Sequence, residues 1–138
     1  MAEKERRQMA KVRVLIVDDD PSARRLMRDS LNFLGGEFEV FEADNGESGL
    51  HLLRASRPDV VLLDITMPHL GGIPFCSEIK RDPATASTEI IIVGARTESD
   101  FISSSLKAGA SDYVTKPFQP SDLVRRVCRV LEKAEAAV

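Results

Sequence analysis

A chain of 138 residues with 43% hydrophobic and 30% charged side chains has room for one packed core under a polar surface, and not for two domains. Its net charge of −3, with basic residues scattered along the chain, provides no field to hold a polyanion, so direct nucleic-acid binding is not expected. No run approaches the roughly 20 apolar residues that span a bilayer, MAEKERRQMAK lacks the apolar centre of a signal peptide, and Cys76 and Cys128 lack metal-ligand spacing; the reading is a soluble cytoplasmic protein with buried thiols.

Residues 1–11 read as a polar N-terminal extension, 12–133 as the folded domain and 134–138 as a tail. VRVLIV, from Val12 to Val17, is an apolar run that stops abruptly at Asp18, Asp19, Asp20 and Pro21, as a buried strand followed by a turn and a helix start would. From Ser22, the residues Ala23, Leu26, Met27, Leu31 and Leu34 recur at helical spacing until Gly35 and Gly36. FEVFEA, from Phe38 to Ala43, alternates like a strand, and Asp44-Asn45-Gly46 leads into a second helix carrying Leu50, Leu52 and Leu53 that ends at Arg57-Pro58. Val60 to Leu63 is a second continuous apolar run, cut off by Asp64. EIIIV, from Glu89 to Val93, precedes a helix around Phe101 to Lys107, and SDYV, from Ser111 to Val114, precedes Lys116-Pro117. Pro120 opens a last helix with Leu123, Val127, Val130 and Leu131 on one face. Five strands alternating with five helices predict an α/β fold with a doubly wound parallel sheet, because each parallel connection needs a crossover and helices then cover both faces.

In such a sheet, ligands bind beyond the carboxyl ends of the strands. Asp18 to Asp20 follow the first strand, Asp64 the third and Lys116 the fifth, so residues remote in sequence can converge there. Crowded carboxylates repel one another unless a cation neutralises them, and Mg²⁺, a hard ion satisfied by one or two carboxylates plus water and phosphoryl oxygens, suits that role. A carboxylate can attack phosphorus to form an acyl phosphate, and Asp64, alone on its loop, is the best nucleophile, with Lys116 placed to contact a phosphoryl oxygen. Taken singly, each residue has a plainer reading. Asp20 is assigned to capping the first helix, Asp64 alone could be a turn residue and Lys116 alone a solvated charge. His51 reads as a surface residue, and His69, beside the pocket, has no companion ligand for zinc.

With these residues in hand, the chain resembles the receiver domain of two-component response regulators over roughly Lys11 to Leu131. LIVDDDP matches the family's acidic-pair motif, VLLDITMP its phosphoacceptor motif and YVTKPF its lysine motif. The resemblance implies a flavodoxin-like sheet of strand order 2-1-3-4-5. It implies Asp64 as phosphoacceptor and a Mg²⁺ or Mn²⁺ ion held by Asp19 and Asp64, by Asp18 through water and by the Thr66 carbonyl. Lys116 would contact phosphate, in a Lys-Pro bond that is usually cis, and Tyr113 would be an aromatic switch. A histidine kinase or phosphotransfer protein would donate the phosphoryl group, and the face built by the fourth helix, fifth strand and fifth helix would bind an output domain or target; the resemblance also allows a homodimer.

The chain departs from the pattern where IIIVGAR places Gly94 at the position of the switch hydroxyl, and where Gly71 stands for an acid before Gly72. The first departure predicts a weakened link between phosphoryl group and Tyr113, a more mobile 94–98 loop, and recovery of the link in Gly94→Thr, unless Thr97 supplies a hydroxyl. Two other functions stay open: a pseudo-receiver that binds partners without phosphorylation, which Gly94 favours, and a phosphatase of the haloacid dehalogenase type. That class places a second Asp where this chain has Thr66.

Overall fold

The computed structural model describes residues 11–34, 37–65 and 72–136. Its strands are β1 (Val12–Val17), β2 (Phe38–Ala43), β3 (Val60–Leu63), β4 (Glu89–Gly94) and β5 (Asp112–Thr115), and its helices are α1 (Pro21–Leu34), α2 (Gly46–Ser56), α3 (Gly72–Arg81), α4 (Ser99–Lys107) and α5 (Pro120–Ala136). The strands form one five-stranded sheet in the order β2-β1-β3-β4-β5, every neighbouring pair parallel. The doubly wound, flavodoxin-like α/β fold expected from the sequence is the fold observed.

The apolar runs form the middle of the sheet because they are covered on both faces. All four residues of β3 are buried, and alternation sends Val61 and Leu63 into one core with Phe75, Cys76 and Ile79 of α3, and Val60 and Leu62 into the other with Met27 and Leu31 of α1 and Leu123 and Val127 of α5. Helix ends follow local chemistry. The side chain of Asn45 caps α2 by accepting from the Ser48 N–H at 2.8 Å, and Arg57 turns the chain out of that helix in the left-handed region at φ 47°. Asp20 caps α1 as expected, its side chain accepting from the Ser22 N–H at 3.0 Å.

The α1 face differs from the expected one. Leu26 and Leu34 are 46% and 56% exposed, while the inward stripe consists of Met27, Ser30 and Leu31. Ser30 can sit there because its hydroxyl donates back to the Leu26 carbonyl at 2.7 Å, which removes the cost of burying it. At the other end of the chain, α5 continues past 133 to Ala136. No helix among the described residues is long and apolar enough to cross a membrane.

Cys76 is fully buried, but Cys128 is only half-buried, against the expectation that both are core thiols. Burial pushes the Cys76 thiol up to about 11 from 9.0. Between those values the folded chain keeps a proton that the unfolded chain has released, so this group's contribution to stability is lost as pH rises through that window. At mildly alkaline pH, a thiol reagent should modify Cys128 in the native chain and reach Cys76 only on unfolding. Peptide mapping after partial labelling checks this, and equal reaction rates at the two thiols in the native state would contradict it.

Candidate functional site

The carboxyl ends of β1, β3 and β5 lie along one edge of the sheet because β1 pairs with β3, β3 with β4 and β4 with β5 in parallel register. Each of these ends contributes a charged residue. Asp18 leaves β1 fully buried, Asp64 leaves β3 only 3% exposed, and Lys116 follows β5. A carboxylate oxygen from each of Asp18, Asp19 and Asp64 falls within 4.8 Å of the others, close enough for one ion to be shared. Asp19 is the exposed member of this group.

Lys116 reaches both buried acids. Lys116 Nζ donates to Asp18 Oδ2 at 2.9 Å and lies 3.6 Å from Asp64 Oδ2. Lys116 is expected from the sequence to contact a phosphoryl oxygen; of the two buried acids, Asp18 is its nearer partner. Both Asp18 oxygens are in use, because Oδ1 accepts from the Asp20 N–H at 2.9 Å. Burial raises the Asp18 carboxyl above the usual carboxylate range, and the charge of Asp64 adds to that; the Asp20 and Lys116 hydrogen bonds work against it. Burial alone would lower the Lys116 ammonium, yet the Asp18 bond and the two carboxylate charges carry it above the ordinary lysine value. Three carboxylates facing one ammonium leave negative charge for a cation to offset. The donor set is all hard oxygen, as a divalent ion such as Mg²⁺ requires.

Sequence reasoning overlooked Arg24, whose guanidinium on α1 donates to the Asp18 backbone carbonyl at 2.7 Å and lies 3.4 Å from Glu42. Nothing in the local pattern singles out an arginine one turn into the next helix, since its partner is a backbone carbonyl and not one of the three acid side chains. Thr66 and His69 lie outside the described residues. His51 is exposed on α2, as expected. A separate polar cleft of about 300 Å³, lined by Glu89, Ser111, Asp112, Arg129 and Lys133, opens at the amino ends of β4 and β5, the opposite end of the sheet from the acids.

Gly94 ends β4 at the same edge of the sheet as the acids, and its missing side chain does not leave a vacancy. A Cβ built on Gly94 would stand 2.8 Å from the Tyr113 hydroxyl and 3.4 Å from Ile65 Cγ1. Tyr113 is 6% exposed, and its ring meets Phe101 of α4 edge-on at 6.3 Å between centroids. Arg96 stacks on the other partner of that pair, its guanidinium carbon 3.9 Å from the Phe101 centroid. The expectation that Gly94→Thr simply restores a lost link is therefore revised: the new side chain would compete with Tyr113 for the same space. Thr97 is exposed. The Lys116-Pro117 bond is cis, as the resemblance implied.

Residues 14–128 match the response regulator receiver domain family. Over 125 residues the chain is 38% identical to the "Probable transcriptional regulator ycf27" of Porphyra purpurea, covering 91% of this chain and 49% of that protein. It is 37% identical over 120 residues to the phosphate regulon transcriptional regulatory protein PhoB of Pseudomonas aeruginosa, covering 87% of this chain and 52% of the relative. The chain thus spans about half the length of the curated relatives it matches. Among solved structures, the Vibrio cholerae chemotaxis protein CheY4 superposes with a TM-score of 0.81 at 29% identity, covering 88% of this chain and 99% of the other.

Proposed function

Because the chain belongs to the response regulator receiver domain family of two-component systems, we propose that it is a phosphoacceptor, taking a phosphoryl group onto Asp64 to switch the binding of a partner. One observation carries this reading: a buried carboxylate at the end of a central strand faces both a lysine ammonium and an acidic pair able to share a cation with it. The donor is a phosphohistidine on a histidine kinase or a phosphotransfer protein. An oxygen of Asp64 attacks phosphorus, the O–P bond forms as the P–N bond breaks, and the imidazole leaves with its electron pair and takes up a proton. A divalent ion, Mg²⁺ or Mn²⁺, when bound, offsets the charge on the transferred oxygens. Asp19 and Asp64 are its direct ligands in this proposal, together with the Thr66 carbonyl. Asp18, with both oxygens occupied, suits contact through water.

The domain acts stoichiometrically rather than by turnover, in the cytoplasm. It makes no direct contact with nucleic acid, in keeping with its net charge of −3. Its output passes through the face formed by α4, β5 and α5, onto an output domain or a separate target; the relatives named as transcriptional regulators point to control of transcription as the kind of output. A phosphorylation-independent module has Gly94 in its favour and is separated from this reading by labelling the native chain with a small acyl-phosphate donor and Mg²⁺. A single labile phosphate per chain is expected. Steady hydrolysis of phosphate esters would indicate a phosphatase instead, and no adduct at all an interaction module.

Metal binding is a second check. Asp19→Ala should weaken Mg²⁺ or Mn²⁺ by well over tenfold, about 1.4 kcal/mol or more, because the remaining acids then offer one direct carboxylate ligand instead of two. Calorimetric titration measures it, and unchanged affinity would rule out this ligand set.

A further inference from the structure

Among the described residues, the acceptor chemistry leaves one buried polar atom at the pocket without a task. The hydroxyl of Tyr113 is enclosed and completes no hydrogen bond of ordinary geometry. A buried donor without an acceptor is a standing cost that native structures rarely retain without a reason. The hydroxyl also stands at a particular place, the volume that a side chain at residue 94 would fill, at the end of the strand next to the one that carries Asp64. Burial first, and then the nearby charges of Glu98 and Asp64, raise the Tyr113 phenol above its ordinary value, while a backbone hydrogen bond at Arg96, too poorly aligned to satisfy the hydroxyl, and the Arg96 charge pull the other way. The hydroxyl therefore stays a neutral donor, within electrostatic reach of the acceptor carboxylate.

A phosphoryl group on Asp64 presents three terminal oxygens. The cation and Lys116 can take two of them, which leaves one for the β4 side, where Gly94 offers no side-chain hydroxyl of its own. We propose that Tyr113 itself donates a hydrogen bond to that third phosphoryl oxygen, from the volume that a side chain at residue 94 would otherwise fill. The proposal rests on Asp64 being the acceptor and adds a direct phosphoryl contact to it. Glycine at 94 is then a requirement of the site, because any β-carbon there displaces the tyrosine tip.

Beryllofluoride with Mg²⁺, a stand-in for the phosphoryl group, tests this on the full chain by calorimetry. Tyr113→Phe should weaken beryllofluoride binding roughly tenfold or more, the range for loss of a hydrogen bond to a charged acceptor, while leaving the affinity for Mg²⁺ alone unchanged. Gly94→Ala should weaken it similarly by pushing the hydroxyl aside. Rescue separates a phosphoryl contact from a packing role. In Tyr113→Phe the ring carbon Cζ lies 3.5 Å from a Cβ at 94, an ordinary contact, so adding Gly94→Ser fits a hydroxyl into the vacated space and should restore most of the affinity. Native binding matched by Tyr113→Phe would overturn the proposal and assign the hydroxyl to the Arg96 backbone. Absence of binding by the native chain would overturn the acceptor reading and this proposal with it.

Discussion

Asp64→Asn should abolish phosphorylation completely while leaving the chain folded. The substitution changes a carboxylate to an amide of nearly the same shape, and an amide lacks the anionic oxygen that attack on phosphorus requires. The fold should tolerate it because Lys116 keeps its nearer partner, Asp18, at 2.9 Å, so no buried ammonium is left alone. The effect is expected to be all or none. Asp18 is buried and already engaged through both oxygens, and Asp19 is exposed, so neither neighbour stands in the same environment as Asp64. Intact mass after exposure to a small acyl-phosphate donor with Mg²⁺ gives the result. The same acid-labile adduct on the variant would move the acceptor elsewhere, and loss of the native circular dichroism spectrum would show that the amide had damaged the fold rather than the chemistry.

Phe75→Ala should be among the most damaging substitutions in the core, costing about 3–5 kcal/mol of folding stability. Phe75 is fully buried, and its ring tip faces the close approach of α2 to β1, where a Cβ on Gly49 would stand 3.6 Å from Phe75 Cζ and 3.1 Å from Val17 Cγ2. The backbone of α2 lies so near the sheet there that neither side can close in on a deleted ring, so the cavity persists and adds to the lost transfer energy. Because total stabilities are about 5–15 kcal/mol, the variant should retain only a fraction of the native value, and its melting temperature should fall by roughly 10 °C or more. Urea unfolding of the two chains measures the difference. A change below about 1 kcal/mol would mean that the region collapses around the missing ring, and that Gly49 is not held as closely as its geometry indicates.

The amino-acid sequence by itself determined the strands, the helices and their order. VRVLIV, VVLL and EIIIV can be satisfied only by burial on both faces, and each is followed by polar or turn residues that end it, so a parallel sheet covered by helices on both sides follows from local pattern and chain connectivity. The candidate acids were legible for the same reason: a charge directly after a buried strand must emerge at the sheet's carboxyl edge. Tertiary structure decided the rest, because it depends on which surfaces meet. Periodicity on α1 could not tell that Ser30 would turn inward and Leu26 outward, since a serine that bonds its own helix can be buried without leaving its hydroxyl unsatisfied. Spacing could not show that Lys116 would prefer Asp18, at 2.9 Å, to Asp64, at 3.6 Å, a difference set by how strands far apart in the chain pack together. Nor could the sequence foretell what fills the place of the absent side chain at Gly94. A glycine in sequence is only a missing side chain, whereas in the folded chain it is a volume, and here the volume belongs to the hydroxyl of Tyr113 because β4 and β5 lie side by side in register.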